Sequence, residues 1–103
     1  MRIEVVGDET ISSQARTYAE YRLFAALTRA TGTRDARAAR VTLRPLNARG
    51  YCGGVACTVT VLFEGFDTVR VSAVGGHPYA AINRAIERLR AAVEPGFARR
   101  VSS

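Results

Sequence analysis

The chain has 103 residues, 48% of them hydrophobic and 23% charged, which is typical of one globular domain with a modest core. No apolar run approaches the ~20 residues that cross a bilayer, and the N-terminus lacks a signal-peptide pattern, so a cytoplasmic protein with no membrane partner is expected. The net charge of +6 favours a polyanionic partner. All 15 basic residues are arginine. Because a GC-rich genome also produces that bias, the placement of the charge is the better clue.

The first third of the chain predicts a strand followed by a helix. Residues Arg2 to Val6 alternate between apolar and polar side chains, as in a half-buried strand. Ser12 is a candidate helix cap, and Gly32 is a candidate helix end. Between them, apolar residues recur at helical spacing and predict one buried face: Ile11, Ala15, Tyr18, Ala19, Leu23, Ala26, Leu27 and Ala30.

Three strands are predicted next, because apolar residues now recur at every second position. The first starts at Ala39 and is limited to a sheet edge, or ended, by Pro45. Residues 55–63 and 69–73 alternate in the same way. The polar sides of the three strands carry arginines and hydroxyl residues: Arg40, Thr42, Arg44, Thr58, Thr60, Arg70 and Ser72.

The segment from Pro78 to Val93 predicts an amphipathic helix. Proline suits the first helical position, and an apolar stripe follows at three-and-four spacing. The stripe consists of Tyr79, Ile82, Ile86, Leu89 and Val93. Largely off the stripe lie Asn83, Arg84, Glu87, Arg88 and Arg90, which give the helix a basic outer side.

This order of elements predicts an α+β fold over residues 1–95, with a short basic tail at 96–103. Two helices with one apolar face each can cover one side of a four-stranded sheet, so the expected architecture is a two-layer sandwich with the other sheet face open. The open face makes Arg40, Arg44 and Arg70 candidate RNA-binding residues. An ordinary solvated sheet has the same composition. The face lacks the aromatic residues with which RNA-recognition motifs stack bases.

Two motifs and the element order resemble a known family. The last helix opens with Tyr79-Ala80-Ala81-Ile82 and carries Arg88-Leu89 in its third turn. The first helix opens with Ile11-Ser12 and carries Tyr18 and Arg22-Leu23. With the glycine-rich second connection, these features are similar to the ribosome hibernation-promoting factor family, which includes ribosome-associated inhibitor A and proteins once called sigma-factor modulation proteins. The resemblance covers nearly the whole chain.

The resemblance implies a β-α-β-β-β-α fold like that of double-stranded RNA-binding domains. Such proteins sit in the decoding region of the small ribosomal subunit and block messenger and transfer RNA during stationary phase. Long members use a second domain to pair ribosomes. Because this sequence ends at Ser103, the resemblance implies a single-domain role.

The resemblance also implies contact residues. By position, Arg22 matches a basic site of the first helix and Arg88 one of the last helix, while Arg99 and Arg100 match the basic tail. Arg84 and Arg90 are assigned to RNA binding from charge alone, because many members are neutral or acidic there.

The start of the last helix departs from the family pattern. Members commonly place one aspartate before this helix and another after Tyr-Ala-Ala-Ile, where this chain has Gly75-Gly76-His77-Pro78 and Asn83. The helix cap is therefore expected to differ.

The loop from Asn47 to Gly54 offers a further contact. Arg49 is a candidate phosphate clamp and Tyr51 a candidate base-stacking residue. The alternative is a long hairpin loop whose glycines serve only the turn.

The cysteines do not predict a metal site, a cofactor or a catalytic centre. Cys52 and Cys57 with one histidine, His77, fall short of a structural zinc set, and the thiols have no predicted partner base. Cys57 is expected to be a small buried hydrophobic residue, and Cys52 is the thiol expected to be reactive.

Together with the resemblance, the sequence predicts a non-enzymatic translation inhibitor that binds ribosomal RNA of the small subunit, with no small-molecule substrate, as a monomer or weak homodimer. Two alternatives remain. One is a self-associating or regulatory protein-binding module that has diverged from ribosome binding. The other is a small thiol-dependent enzyme.

Overall fold

The predicted strands and helices are present in the predicted order. A computed structural model describes residues 2–30, 36–46, 54–63 and 68–93. Its elements are β1 (Arg2–Gly7), α1 (Ser13–Ala30), β2 (Ala36–Leu46), β3 (Gly54–Phe63), β4 (Thr68–Gly75) and α2 (Pro78–Val93). The predicted α+β fold is confirmed. Neither described helix is long and apolar enough to cross a lipid bilayer.

The strands form one mixed sheet in the order β1-β2-β3-β4. β1 and β2 are parallel, because α1 carries the chain back to the end of the sheet at which β1 began. The pairs β2–β3 and β3–β4 are antiparallel. β1 and β4 are therefore the two edge strands.

Both helices pack on the same face of the sheet. α1 packs against β1, β2 and α2, whereas α2 covers β3 and β4. The side chains between the layers are those that the two periodicities predict to point inward. The largest that are fully buried are Phe63, Leu23, Leu27, Leu43, Ile82, Ile86, Leu89, Val41, Val59, Val61 and Cys57.

Side chains cap the start of each helix. The Ala15 N–H donates to Ser12 Oγ at 3.1 Å, which confirms the predicted cap of α1. At α2, the N–H of Ala80 donates to His77 Nδ1 at 3.3 Å. The His77 carbonyl oxygen accepts the first helical hydrogen bond, from the Ala81 N–H at 3.1 Å. His77 thus takes the capping position that members of the similar family commonly give to aspartate.

The two helices are tied together at Tyr18. Its hydroxyl donates to Asn83 Oδ1 at 2.7 Å, and its ring meets Tyr79 edge to face with centroids 5.1 Å apart. Tyr79 was predicted on the buried stripe but is 37% exposed. It lies in the first turn of α2 and packs on Tyr18 rather than deep in the core. This aromatic contact and the hydrogen bond fix how α1 and α2 lie against each other.

Pro45 does not end β2, which continues to Leu46. Pairing of β1 with β2 stops at Leu43, so at Pro45 only β3 is a neighbour, through Val55. A proline lacks the N–H that a strand on the β1 side would require. Pro45 therefore lies at a local sheet edge. Of the two predicted outcomes, an edge position or the end of the strand, the first is the one found.

Gly75 is required by the close approach of α2 to the end of β4. A Cβ added at Gly75 would lie 2.4 Å from the backbone nitrogen of Ala81, whereas one added at Gly76 meets nothing within 4 Å. We expect Gly75→Ala to cost about 3 kcal/mol or more, because backbone cannot move aside as a side chain can. Thermal unfolding should show a Tm lowered by more than about 10 °C. Gly76→Ala is the matched control, and equal Tm values for the two variants would contradict the tight junction.

Candidate nucleic-acid interface

The structure divides the predicted RNA-binding arginines into those it brings together and those it does not. Arg49, Arg99 and Arg100 lie outside the described residues, as does the loop residue Tyr51. The others lie on the open sheet face, on α2 and on α1.

The open face of the sheet is built of cross-strand rows. One row runs Glu4, Arg40, Thr60, Arg70 from β1 to β4, and the next runs Val6, Thr42, Thr58, Ser72. Within the second row, Thr58 Oγ1 and Ser72 Oγ are 3.0 Å apart and share a hydrogen bond. The predicted face of arginine and hydroxyl side chains is therefore present.

Arg40 forms an ion pair with Glu4 on this face. Its Nε lies 2.8 Å from Glu4 Oε1, and both side chains are more than half exposed. Parallel pairing of β1 with β2 sets Glu4 beside Arg40. The carboxylate neutralises part of the charge that the sequence assigned to RNA contact, so Arg40 is a weaker candidate than Arg44 or Arg70.

Two arginines of α2 reach the backbone of the edge strand β4. Arg84 Nη1 donates to the Val74 carbonyl oxygen at 2.7 Å, and Arg88 Nη1 donates to the carbonyl oxygen of Ser72. Four helical residues advance about 6 Å, and two strand residues advance about 6.6 Å. Side chains four apart on α2 therefore match alternate carbonyls of the antiparallel edge strand, where charged side chains also discourage pairing with another chain.

Four arginines lie on β4, donate to its edge or lie two strands from it, and we call them the arginine cluster: Arg44, Arg70, Arg84 and Arg88. Arg44 shares a row with Val74, two strands away at about 10 Å between Cα atoms. All four side chains belong to exposed residues, and within the described ranges none forms an ion pair with a carboxylate. Each guanidinium has five N–H donors, so Arg84 and Arg88 keep most of theirs for a ligand.

Arg90 and Arg22 lie apart from the arginine cluster. Arg90 Nη1 lies 3.4 Å from Glu87 Oε1, a long contact between exposed groups. Arg22 is half-buried on α1, and its Nε is buried without a hydrogen-bond partner among the described residues. Neither adds a free, fully exposed guanidinium to the cluster.

Cys57 is a buried core residue, as predicted. Its side chain is 0% exposed, and burial raises the pKa of its thiol to about 12. The thiol therefore stays protonated at neutral pH, and a protonated thiol is a poor nucleophile. Across the described ranges, no three His, Cys, Asp or Glu side chains form a group that could hold a metal ion. Cys52 lies outside those ranges.

The sequence interpretation missed contacts of two arginines. It did not anticipate the Glu4–Arg40 pair, because pairing of β1 with β2 was unknown. It also missed Arg16, whose Nη2 donates to the carbonyl oxygens of Gly7 at 3.0 Å and Asp8 at 2.9 Å and so braces the turn before α1. No local signal identifies these partners.

The comparisons with known proteins agree with this fold. A sequence profile for the family described as sigma 54 modulation protein / S30EA ribosomal protein matches residues 3–95. The N-terminal domain of Thermus thermophilus Protein Y is similar in structure, with a TM-score of 0.72 and 26% identity, over 91% of this chain and 97% of that one. A ribosomal subunit interface protein from Coxiella burnetii gives a TM-score of 0.69 over 100% of both chains.

The Coxiella burnetii protein is 17% identical, so that likeness concerns the fold alone. No curated protein sequence matches significantly. The family profile, in contrast, spans nearly all of the chain. The resemblance drawn from the two helix motifs and the element order is confirmed: the chain belongs to the sigma 54 modulation protein / S30EA ribosomal protein family.

Proposed function

We propose that this protein binds ribosomal RNA in the decoding region of the small subunit and inhibits translation by occupying the path of messenger and transfer RNA. The observation that carries the proposal is the arginine cluster around β4, an exposed basic surface that no described carboxylate neutralises. Family membership supports the ribosome as the partner. The similar Coxiella burnetii protein is described as a ribosomal subunit interface protein.

The arginine cluster suits phosphate better than base recognition. A guanidinium presents a planar fork that matches phosphate oxygens, and hydrogen bonds from Arg84 and Arg88 to β4 restrict their motion before binding. Less side-chain entropy is then lost on binding. Among the described residues of the open face, the exposed large apolar side chains are Val6, Leu62 and Val74, Leu46 is half-buried, and none of these is aromatic. Recognition should therefore follow the shape of folded RNA rather than its sequence.

Inhibition by this route needs no chemical step. A folded domain that fills the decoding groove excludes messenger and transfer RNA by volume, and its arginines supply the affinity. The proposal therefore requires no cofactor, metal or catalytic residue. We place the protein on ribosomes in the cytoplasm, with its greatest occupancy expected in stationary phase and under stress.

Sedimentation through a sucrose gradient tests the proposal. Purified protein mixed with isolated small subunits, and separately with whole ribosomes, should migrate with both. An RNA-free sample should stay at the top of the gradient. Messenger RNA bound to the small subunit beforehand should reduce the amount that co-migrates, since both ligands need the same groove. Absence of the protein from both particle fractions at low salt would refute ribosome binding.

A further inference from the structure

The outer face of α1 carries an uncharged stripe that the fold leaves uncovered. Its residues recur at spacings of three and four and lie opposite the buried face of the helix: Gln14, Thr17, Tyr21, Phe24 and Thr28. The side chains of Tyr21 and Phe24 are 68% and 53% exposed. This spacing is the one by which two helices pack along a common seam. We call these five residues the α1 stripe.

The two threonines of the α1 stripe need no outside hydrogen-bond partner. Thr17 Oγ1 donates to the Ser13 carbonyl oxygen at 3.0 Å. Thr28 Oγ1 lies 2.6 Å from the carbonyl oxygen of Phe24. Their hydroxyls are thus satisfied by the helix itself, so covering them with an apolar partner leaves no buried donor unpaired.

A shallow groove lies on each side of Tyr21. One is lined by Ser13, Gln14, Thr17, Tyr18, Tyr21 and Tyr79. The other is lined by Ile3, Thr17, Glu20, Tyr21 and Phe24. An aromatic ridge between two grooves is the shape with which helices interlock, ridge into groove. The same surface on a second molecule can therefore complement it.

The distribution of charge favours a second copy of this chain as the occupant of the α1 stripe. The segment 2–30, which contains β1 and α1, has four arginines and four carboxylates, whereas the described segments from 36 to 93 have seven arginines and one glutamate. Two copies of a protein with net charge +6 repel one another, and this repulsion is weakest where the facing surfaces carry no charge. The α1 stripe itself contains no charged residue, although α1 as a whole has three arginines and one glutamate.

We propose that the α1 stripe is a self-association surface, at which two copies of this chain pack α1 against α1 about a two-fold axis. Antiparallel helices satisfy this symmetry and bring opposite ends of the two helix dipoles together. The proposal does not rest on ribosome binding. The arginine clusters of both copies stay exposed, because Arg84 and Arg88 reach the edge strand β4, Arg44 and Arg70 lie on the open sheet face, and the α1 stripe lies on the outer side of the other face.

A nucleotide is the less suitable occupant. Proteins that stack unpaired bases place cationic side chains beside the aromatic rings to hold the backbone. No arginine lines either groove, and the one charged lining residue is Glu20. An 18-residue helix is about 27 Å long, so its stripe covers less than the roughly 800 Å² per partner of a standard interface. We expect a weak dimer, with a Kd of about 10 to several hundred micromolar.

Analytical ultracentrifugation of purified, nucleic-acid-free protein tests the proposal from about 1 to 1,000 micromolar. The average mass should rise from one chain toward two. Phe24→Glu, and more mildly Tyr21→Ser, should raise the dissociation constant at least tenfold, because the first buries a charge and the second removes the ridge. Leu62→Glu is the control, since Leu62 is 44% exposed on the open sheet face and away from α1. Added salt should leave the dimer unchanged or strengthen it.

A single-chain mass at every concentration would overturn the proposal, as would a dimer that both stripe variants retain. If the protein is monomeric and Tyr21→Ser weakens binding to small subunits, a nucleotide is the occupant and the self-association proposal is wrong. The variants' circular dichroism spectra should match that of the parent chain. Mass is measured without ribosomes, so failure of the ribosome proposal leaves this result unaffected.

Discussion

Replacing Arg84 and Arg88 together by glutamate is expected to abolish co-sedimentation with small subunits. Hydrogen bonds to a charged partner contribute about 1.5–3 kcal/mol each, so losing two of them costs at least about a hundredfold in affinity. The new carboxylates also repel RNA phosphates. This pair should therefore produce the largest loss of any double substitution on the described surface.

A matched control separates local contact from net charge. Arg2→Glu with Arg37→Glu changes the charge by the same amount, and both residues are exposed. Arg2 lies on β1, three strands from β4, and Arg37 lies at the end of β2 remote from Arg44. If the control pair reduces co-sedimentation as strongly as the α2 pair, the interaction is a diffuse attraction and the arginine cluster is not its site.

The structure also predicts a side effect of the α2 substitutions. Arg84 and Arg88 donate to carbonyl oxygens of β4, and each such exposed hydrogen bond contributes about 0.5–1.5 kcal/mol. A modest fall in Tm is expected, with Gly75→Ala as the reference for severe damage. Arg84→Gln with Arg88→Gln keeps amide donors at both positions. This variant should bind small subunits weakly, and its Tm should fall less than that of the glutamate variant. Gradients run well below each Tm therefore report binding rather than unfolding.

The architecture of this protein could be predicted from sequence because it follows from local periodicity. Alternation in residues 55–63 identified the inward side of β3 correctly at Val55, Cys57, Val59, Val61 and Phe63. Among the residues whose burial the structure describes, the helical stripes identified the buried sides of α1 and α2, apart from the exposed Tyr79 and the half-buried Tyr18. Each prediction depends only on which face of an element is buried and which is exposed to solvent. The hydrophobic pattern of that one segment already shows this.

The partners of the arginines could not be predicted in the same way, because they depend on which strands are neighbours. Arg40 and Arg70 look alike in sequence, yet Arg40 faces Glu4 across the β1–β2 pair while Arg70 has no carboxylate partner among the described residues. The bonds from α2 to β4 require the helix to run along the edge strand. Charge and period identify candidate residues, whereas topology decides which remain available for a ligand.

The α1 stripe shows a different reason for a missed feature. Its spacing is present in the sequence, but an amphipathic helix is expected to have one apolar face, and the face through Leu23 and Leu27 already meets that expectation. Tyr21 and Phe24 lie on the opposite side of the same helix. An aromatic pair on the polar side of an amphipathic helix is the signal that could have identified it.

Salt should weaken binding to isolated small subunits by more than about tenfold between about 50 and 200 mM. Each arginine that neutralises a phosphate releases counterions, so log affinity falls against log salt with a slope of about −0.7 to −0.9 per contact. The four residues of the arginine cluster then give a slope near −3. Filter binding or fluorescence anisotropy over a salt series measures it directly.

Single substitutions within this series identify the contacting arginines. Arg70→Gln should reduce the slope by about one unit, because Arg70 is exposed and unpaired among the described residues. Arg40→Gln should reduce it less, since the Glu4 carboxylate already competes with phosphate for that guanidinium. Arg37→Gln should leave it unchanged. A flat salt dependence for the parent chain would contradict phosphate contact even if the protein bound ribosomes, because an apolar surface such as the α1 stripe docks without releasing counterions.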